Sequence, residues 1–305
     1  MCTAISFNNY FGRNLDLECG FNERVVVTPQ NYNFKMRLVE NFKNNYAIIG
    51  MAAVVDSIPL YFDATNQTGL SMAGLNFLNN AVYHPFNESK INITPFEFIP
   101  FVLGSCKNVA DVKKLLLNLN LVNINFSDDL PLSPLHWLIS DGINSLTVES
   151  VQEGLMVYEN KIGVLTNNPP FLMQMENFEN YKGLLKAKLP QNDGGIDYSL
   201  GIDACGLPGD FSSKSRFVKA AVVKERSPKN LCGMPAVCHF FSMLNSVAMP
   251  KGFVLTPTGE CEYTRYSSCC DVKNGVYYFK TYDSGKIFKV SMNDYDLKGD
   301  CIYVC

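Results

Sequence analysis

Cysteine follows the initiator methionine in this chain. Initiator Met is removed when the second residue is small, and removal leaves a thiol and a free α-amine on the same residue, Cys2. An α-amine has an ordinary pKa of about 7.7–8.0 and a thiol one of about 8.5. The nucleophile thus carries its own general base, an arrangement that lets an N-terminal Thr or Cys work without a separate histidine. A Met-Cys start is by itself also an ordinary beginning for a strand.

Charged and amide side chains extend the candidate set. Residues 2–7 and 10–17 read as two strands of a hairpin, with Asn8-Asn9 able to take the positive-φ turn. That turn pairs 7 with 10, 4 with 13 and 2 with 15. Arg13 then shares a face with Cys2, one diagonal step away, where a guanidinium favours thiolate over thiol. Asp16 is three residues past Arg13, so a flat strand puts it on the opposite face. For both to serve one site, the strand must bulge or end there. Arg216 follows Ser212 and Ser213, either of which can cap a helix, so a cation sits in the first helical turn. The helix dipole disfavours it there by about 0.3–1 kcal/mol. Such a charge calls for a carboxylate partner or a role. Asn76 and Asn167 each close an apolar strand, where side-chain amides can donate to an oxyanion or simply form turns. His136, inside Leu135-His136-Trp137, reads as a hydrogen-bonded core residue rather than half of a Cys–His dyad.

The elements that position these residues are many strands and a few helices. Further strands are expected at Arg24–Thr28, Tyr46–Val54, Leu70–Phe77, Leu135–Ser140, Ser145–Val151, Leu155–Tyr158 and Gly163–Thr166, and again at Phe253–Thr256, Glu262–Tyr266, Val276–Thr281 and Lys286–Ser291. Thr94-Pro95-Phe96-Glu97 is a capping box with Pro at the first helical position. Helices are also expected at Val109–Asn118, Arg216–Glu225 and Ala236–Ala248. Antiparallel strands with interposed helix pairs suggest two sheets between helical layers, an α+β sandwich.

Composition removes other classes. The 305 residues are 47% hydrophobic and 18% charged, with net charge -3 and no Lys/Arg block, which argues against nucleic acid. No apolar run nears the length of a membrane span, and residues 1–30 lack a secretory pattern, so a cytoplasmic protein without membrane insertion is expected. The length suits a single domain over residues 1–305, without repeats. Eleven cysteines are an odd number for a disulfide framework. They include no CxxC, and three dispersed histidines add no cluster, so no metal site is expected. Most of the thiols are read as small buried hydrophobes.

Six stretches together resemble the choloylglycine hydrolase family of N-terminal-nucleophile hydrolases, which contains bile salt hydrolases and penicillin V acylases. They are Met1–Ala4, Tyr10–Asp16, Met72–Phe77, Leu135–Asp141, Gly163–Pro169 and Gly206–Phe217. They occur in the family's order and span nearly the whole chain. The resemblance implies a four-layer αββα sandwich, often a homotetramer, with no metal or cofactor. It implies a catalytic set of Cys2, Arg13, Asp16, Asn76, Asn167 and Arg216. Cys2 is the nucleophile in a mature chain 2–305, with its own amine as base. On the same resemblance, Arg13 and Asp16 would orient the N-terminal residue, Asn167 and Asn76 would supply oxyanion donors, and Arg216 would complete the polar network.

Within the family that the chain resembles, asparagine at the Asn76 position leans toward bile salt hydrolases and tyrosine there toward penicillin V acylases, which implies conjugated bile salts as substrates. The family's pocket loops correspond to segments near Leu15–Arg24, Val54–Phe62 and Asn125–Leu135. These offer Leu15, Val55, Phe62, Phe126, Leu130 and Leu135 to an apolar acyl group. Competing readings are a penicillin V or acyl-homoserine lactone acylase with the same nucleophile, a non-catalytic bile-acid binder, and a redox or metal protein.

Overall fold

The computed structural model describes residues 1–40, 42–186 and 204–305. In chain order its strands are β1 (Cys2–Phe7), β2 (Tyr10–Leu17), β3 (Arg24–Thr28), β4 (Ile48–Val55), β5 (Ile58–Asn66), β6 (Ser71–Asn76), β7 (Ile91–Ile93), β8 (Leu119–Leu121), β9 (Leu135–Ser140), β10 (Ser145–Val151), β11 (Gly154–Glu159), β12 (Val164–Leu165), β13 (Val254–Leu255), β14 (Cys261–Asp271), β15 (Val276–Thr281), β16 (Phe288–Ser291) and β17 (Tyr303–Val304). The helices are α1 (Phe98–Ser105), α2 (Val109–Leu116), α3 (Phe171–Glu179), α4 (Ser213–Arg226) and α5 (Gly233–Asn245).

Among the described residues, beside a short parallel pair of β7 and β8, one large sheet runs β12-β1-β2-β14-β15-β16, with β13 beside β14, and the other runs β11-β10-β9-β6-β5-β4-β3-β17. Pairing within both is antiparallel. Helices α4 and α5 lie on β1, β2 and β14, and α1 lies on β4, β5 and β6. One apolar cluster joins α3, α4 and α5 to the first sheet and to the inner face of the second through Met51, Ala73, Leu75 and Leu138. A second cluster fills the space between the outer face of the second sheet and α1 and α2, around Trp137, Phe98 and Val102. The architecture is helix, sheet, sheet, helix, the expected αββα order.

The first hairpin has the expected register, with Phe7 opposite Tyr10, Ala4 opposite Arg13 and Cys2 opposite Leu15. Asn8 takes φ +52°, the left-handed conformation that asparagine tolerates. Alternation then separates the side chains of β1. Ser6 bonds Ser140 of the facing sheet, 2.7 Å apart. Phe7 instead meets His239 of α5, with ring centroids 6.5 Å apart. Cys2 and Ala4 therefore look into the space between the sheets, and Thr3 looks toward the helices.

The segment expected as a loop near Val54–Phe62 is a hairpin. Asp56 and Ser57 both have positive φ, +49° and +65°, and β5 begins at Ile58. A two-residue turn of that kind matches strand twist, but non-glycine residues disguise it in a sequence. The expectation that most thiols are buried also fails. Cys2, Cys106, Cys269 and Cys270 are buried and Cys261 is half-buried, while Cys19, Cys205, Cys232, Cys238, Cys301 and Cys305 are exposed; all are free.

Candidate active site

Cys2 begins β1 and is 2% exposed. With Met1 in place, its nitrogen is a peptide nitrogen that donates to Asn167 Oδ1 at 2.7 Å. The same Oδ1 accepts from Arg216 Nη2 at 2.8 Å, and Asn167 Nδ2 donates to the carbonyl of Asn76 at 2.8 Å. Asn167 thus ties together the start of β1, the first turn of α4 and the end of β6. Its backbone is held as well: its N–H donates to Ser213 Oγ and its carbonyl accepts from Gln174 Nε2.

Arg216 reaches this point because Ser212 caps α4 by accepting from Ser215 N–H. Such a cap contributes about 1 kcal/mol. The guanidinium then turns inward and is 1% exposed. Nη1 donates to the Cys2 carbonyl and to Thr3 Oγ1, and Nε donates to the Phe211 carbonyl. Burial pulls the Arg216 pKa below its ordinary value, while Asp16 and Cys2 oppose that shift. The unfavourable cation at a helix N-terminus is thus compensated by oxygen acceptors and by a carboxylate.

Arg13 lies on the Cys2 face, as expected, and is fully buried between the sheets. Its Nη1 donates to the Phe62 carbonyl at 3.0 Å and to the Gly74 carbonyl. Phe62 is the extra residue of a bulge in β5, since Met51 pairs with Asp63 and Ala52 with Tyr61. The bulge leaves its carbonyl free of the ladder and available to Arg13. Burial opposes the Arg13 charge, but Cys2, Tyr266, Asp63 and Asp16 more than offset it, so the net shift is upward.

Asp16 lies on the opposite face from Cys2, as a flat strand requires, and β2 does not bulge. The irregularity is in the neighbouring β14, between Thr264 and Tyr266. The Asp16 carboxylate accepts from Thr264 Oγ1 at 2.6 Å. Burial raises its pKa, opposed by Arg216, the N-terminal amine, Thr264 and Arg13. Its backbone extends the hairpin to Met1: the Asp16 carbonyl accepts from the Met1 amine at 2.6 Å, and its N–H donates to the Met1 carbonyl at 2.9 Å. Arg216 links the two faces, touching the Cys2 carbonyl while its charge acts on Asp16.

Asn76 is present at the site through its backbone. Its carbonyl accepts from Asn167, and its side-chain amide makes no hydrogen bond among the described residues. The expected pocket residues divide. Leu15 is paired with Cys2, and Phe62 packs on the same core, against Phe21 at 5.9 Å. Val55 is half-buried at the hairpin tip, opposite Ile58. Phe126 lines a separate cavity with Arg37 and Phe96, about 210 Å³ in volume. Leu130 belongs to a loop turn closed by Ser127. Leu135 packs in the outer cluster beside Trp137, on the face of its sheet away from Cys2, because strand alternation sends His136 and Leu138 inward instead.

Three further residues hold the site: Glu262 accepts from the Met1 amine at 2.8 Å, and Thr3 and Thr264 hold Arg216 and Asp16. These contacts join residues more than 200 positions apart, and no local signal marks them. Asp63 is a further buried carboxylate, accepting from Tyr266, Tyr277 and Ser268 across the two sheets. His136 is the core histidine expected.

Two antiparallel sheets between helical layers, with a cysteine opening the first inner strand and an amide and two guanidiniums around it, define the N-terminal-nucleophile hydrolase architecture. The family profile of linear amide C–N hydrolases, choloylglycine hydrolase family, matches residues 2–305. The chain belongs to that family. It is 52% identical to a bile salt hydrolase/transferase of Lactiplantibacillus plantarum, over 96% of this chain and 93% of the relative. A crystal structure of a conjugated bile acid hydrolase variant from Clostridium perfringens superposes with TM-score 0.88 at 33% identity, covering 100% of this chain and 96% of the other. A penicillin V acylase from Agrobacterium tumefaciens shares the fold, with TM-score 0.79 at 20% identity over 99% and 90% of the two chains.

Proposed function

We propose that this protein is a bile salt hydrolase that releases glycine or taurine from conjugated bile acids, using Cys2 in a chain freed of Met1. The observation that carries the reading is the position of Asn167, whose one amide meets Cys2 N, Arg216 and the end of β6. The similarity to bile salt hydrolases over nearly the whole chain supports the substrate class.

In this reading the free α-amine of Cys2 lies against Asn167 Oδ1 and takes the thiol proton. The Cys2 thiolate, facing Arg13, attacks the amide carbonyl. The tetrahedral oxyanion accepts hydrogen bonds from the second N–H of Asn167 Nδ2, the Asn76 side chain and backbone N–H groups. The ammonium returns its proton to the leaving nitrogen as the C–N bond breaks. A bile acyl thioester remains. Water, deprotonated by the same amine, attacks it, and free bile acid leaves as the thiol re-forms. Arg216 holds the Cys2 carbonyl, and Asp16 balances its charge. Leu15 and Phe62 meet the apolar steroid. The unit is one domain over residues 1–305 that acts in the cytoplasm as a homotetramer without metal or cofactor.

The test is amine release from glycocholate, taurocholate and penicillin V by one preparation whose intact mass shows Met1 removed. Release of glycine or taurine well above penicillin cleavage is expected. A form that keeps Met1 and hydrolyses amides at full rate overturns the mechanism, and preferential cleavage of penicillin V moves the substrate class.

A further inference from the structure

His136 and Glu149 face each other directly across β9 and β10, buried at 0% and 1% exposure. Neither has a hydrogen bond to Cys2, Arg13 or Arg216. His136 Nε2 lies 2.7 Å from the Thr166 carbonyl, so that nitrogen must carry a proton and donate. Nδ1 lies 3.2 Å from Glu149 Oε1, and this same oxygen accepts from Phe171 N–H at 2.9 Å. The pair therefore grips both flanks of the Asn167 segment, at Thr166 and at the start of α3. The His136 ring also stacks on Phe77, with centroids 4.3 Å apart and planes 7° apart. Phe77 follows Asn76, whose carbonyl receives Asn167 Nδ2. Apolar residues of similar volume can fill the space of these two side chains. They cannot supply a directed donor to Thr166 or an acceptor for Phe171.

We propose that His136 and Glu149 are positioning residues for the oxyanion donors, fixing the Asn167 segment and the Asn76 strand end relative to one another. The proposal rests on the hydrolase reading above for its kinetic consequence, but not for its geometric one. A misplacement of about 1 Å in a donor costs about 100-fold in rate. Donors that act mainly in the transition state change kcat more than KM.

The experiment compares wild type, His136→Leu, Glu149→Leu and Glu149→Gln, each with Met1 removed. Readouts are kcat and KM for glycocholate and the rate of Cys2 alkylation by iodoacetamide, followed by peptide mass. The Leu variants are expected to lose kcat by about 10–100-fold with KM within about twofold and Cys2 alkylation unchanged. Glu149→Gln is expected to lose less kcat than Glu149→Leu, because the Gln oxygen can take the place of Oε1 and still accept from Phe171. Unchanged kcat in both Leu variants overturns the proposal. So does a fall of kcat, substrate affinity and alkylation together, which marks a merely structural pair. If the Leu variants fail to fold, His136→Gln replaces them; it keeps a donor for Thr166 and loses the bridge to Glu149, and an intermediate loss of kcat is expected. Wild-type turnover is the control for the hydrolase reading. Should wild type with a free Cys2 release no amine, that reading falls, and the pair is judged by hydrogen exchange at the Asn167 and Phe171 amides. Faster exchange in the Leu variants supports the proposal and unchanged exchange overturns it.

Discussion

Replacing Asn167 by Asp separates the donor role of this residue from its acceptor role. The two side chains have the same shape. Oδ1 continues to accept from Cys2 N and from Arg216 Nη2, now as a charge-assisted bond to the guanidinium, roughly twice as strong as a neutral one. The other atom changes from N–H to oxygen, and it lies 2.8 Å from the Asn76 carbonyl. One neutral hydrogen bond is lost, about 1 kcal/mol, and two acceptors are opposed. The gain at Arg216 offsets this, so the urea unfolding midpoint should correspond to a change within about 2 kcal/mol. Catalysis should respond very differently. Loss of one oxyanion donor costs about 100–1,000-fold in kcat, about 2.7–4 kcal/mol, and an anion beside a developing oxyanion can only add to this. Asn167→Ala removes the acceptor too and leaves a buried guanidinium N–H unpaired, a further penalty of about 1–3 kcal/mol in stability. Asp at position 167 should therefore give a more stable protein than Ala and no more activity. The assay is glycine release from glycocholate by Met1-free protein, alongside urea denaturation. An Asn167→Asp protein with an unchanged midpoint and more than a tenth of wild-type kcat refutes the donor role.

Three other outcomes are expected. Lys224 donates to the Ile162 carbonyl, and burial, helped by Lys229, pulls its pKa from 10.5 down to about 8. Between those values the unfolded chain holds a proton that the native state has released, so this group makes stability rise with pH across that window. Lys224→Met should accordingly raise the urea midpoint at pH 7, with the gain shrinking as pH climbs through the window; a gain that grows with pH contradicts the assignment. Burial pushes the Cys106 and Cys270 thiols up to about 12 and the Cys269 thiol well above its ordinary value. Iodoacetamide at pH 8 should modify exposed Cys232 and Cys238 and leave those three unlabelled in native protein, as peptide masses will show. A Cβ on Gly12 would stand 2.0 Å from the Ser268 carbonyl oxygen of the adjoining strand. Gly12→Ala should cost about 3 kcal/mol or more, at the upper end of overpacking effects, and a urea midpoint close to wild type would contradict this.

Much of the site's local geometry was written in the sequence. The Asn8-Asn9 turn sets the register of the first hairpin, and the register places Arg13 on the Cys2 face and Asp16 on the other. These outcomes depend only on turn chemistry and the two-residue period of a strand. The cap at Ser212 likewise sets Arg216 in the first turn of its helix. The hairpin tip at Asp56-Ser57 escaped because non-glycine residues occupy its left-handed positions. Leu135 packs in the outer cluster and Phe126 beside Arg37 and Phe96, placements hidden from the sequence because an apolar side chain near a loop looks the same whichever side of a sheet it covers.

Tertiary structure alone decided the partners. Arg13 donates to Phe62 and Gly74 only because the second sheet brings the β5 bulge and the Gly74 carbonyl of β6 against the first. Asn167 meets Cys2, Arg216 and Asn76 from three separate elements. Local rules act over a few residues, through backbone dihedrals and the strand period. Hydrogen bonds between buried groups from distant segments form only after packing excludes water and fixes the layers. The sequence thus determined which groups could do chemistry and which way most of them point. The stacking of the two sheets determined what each of them touches.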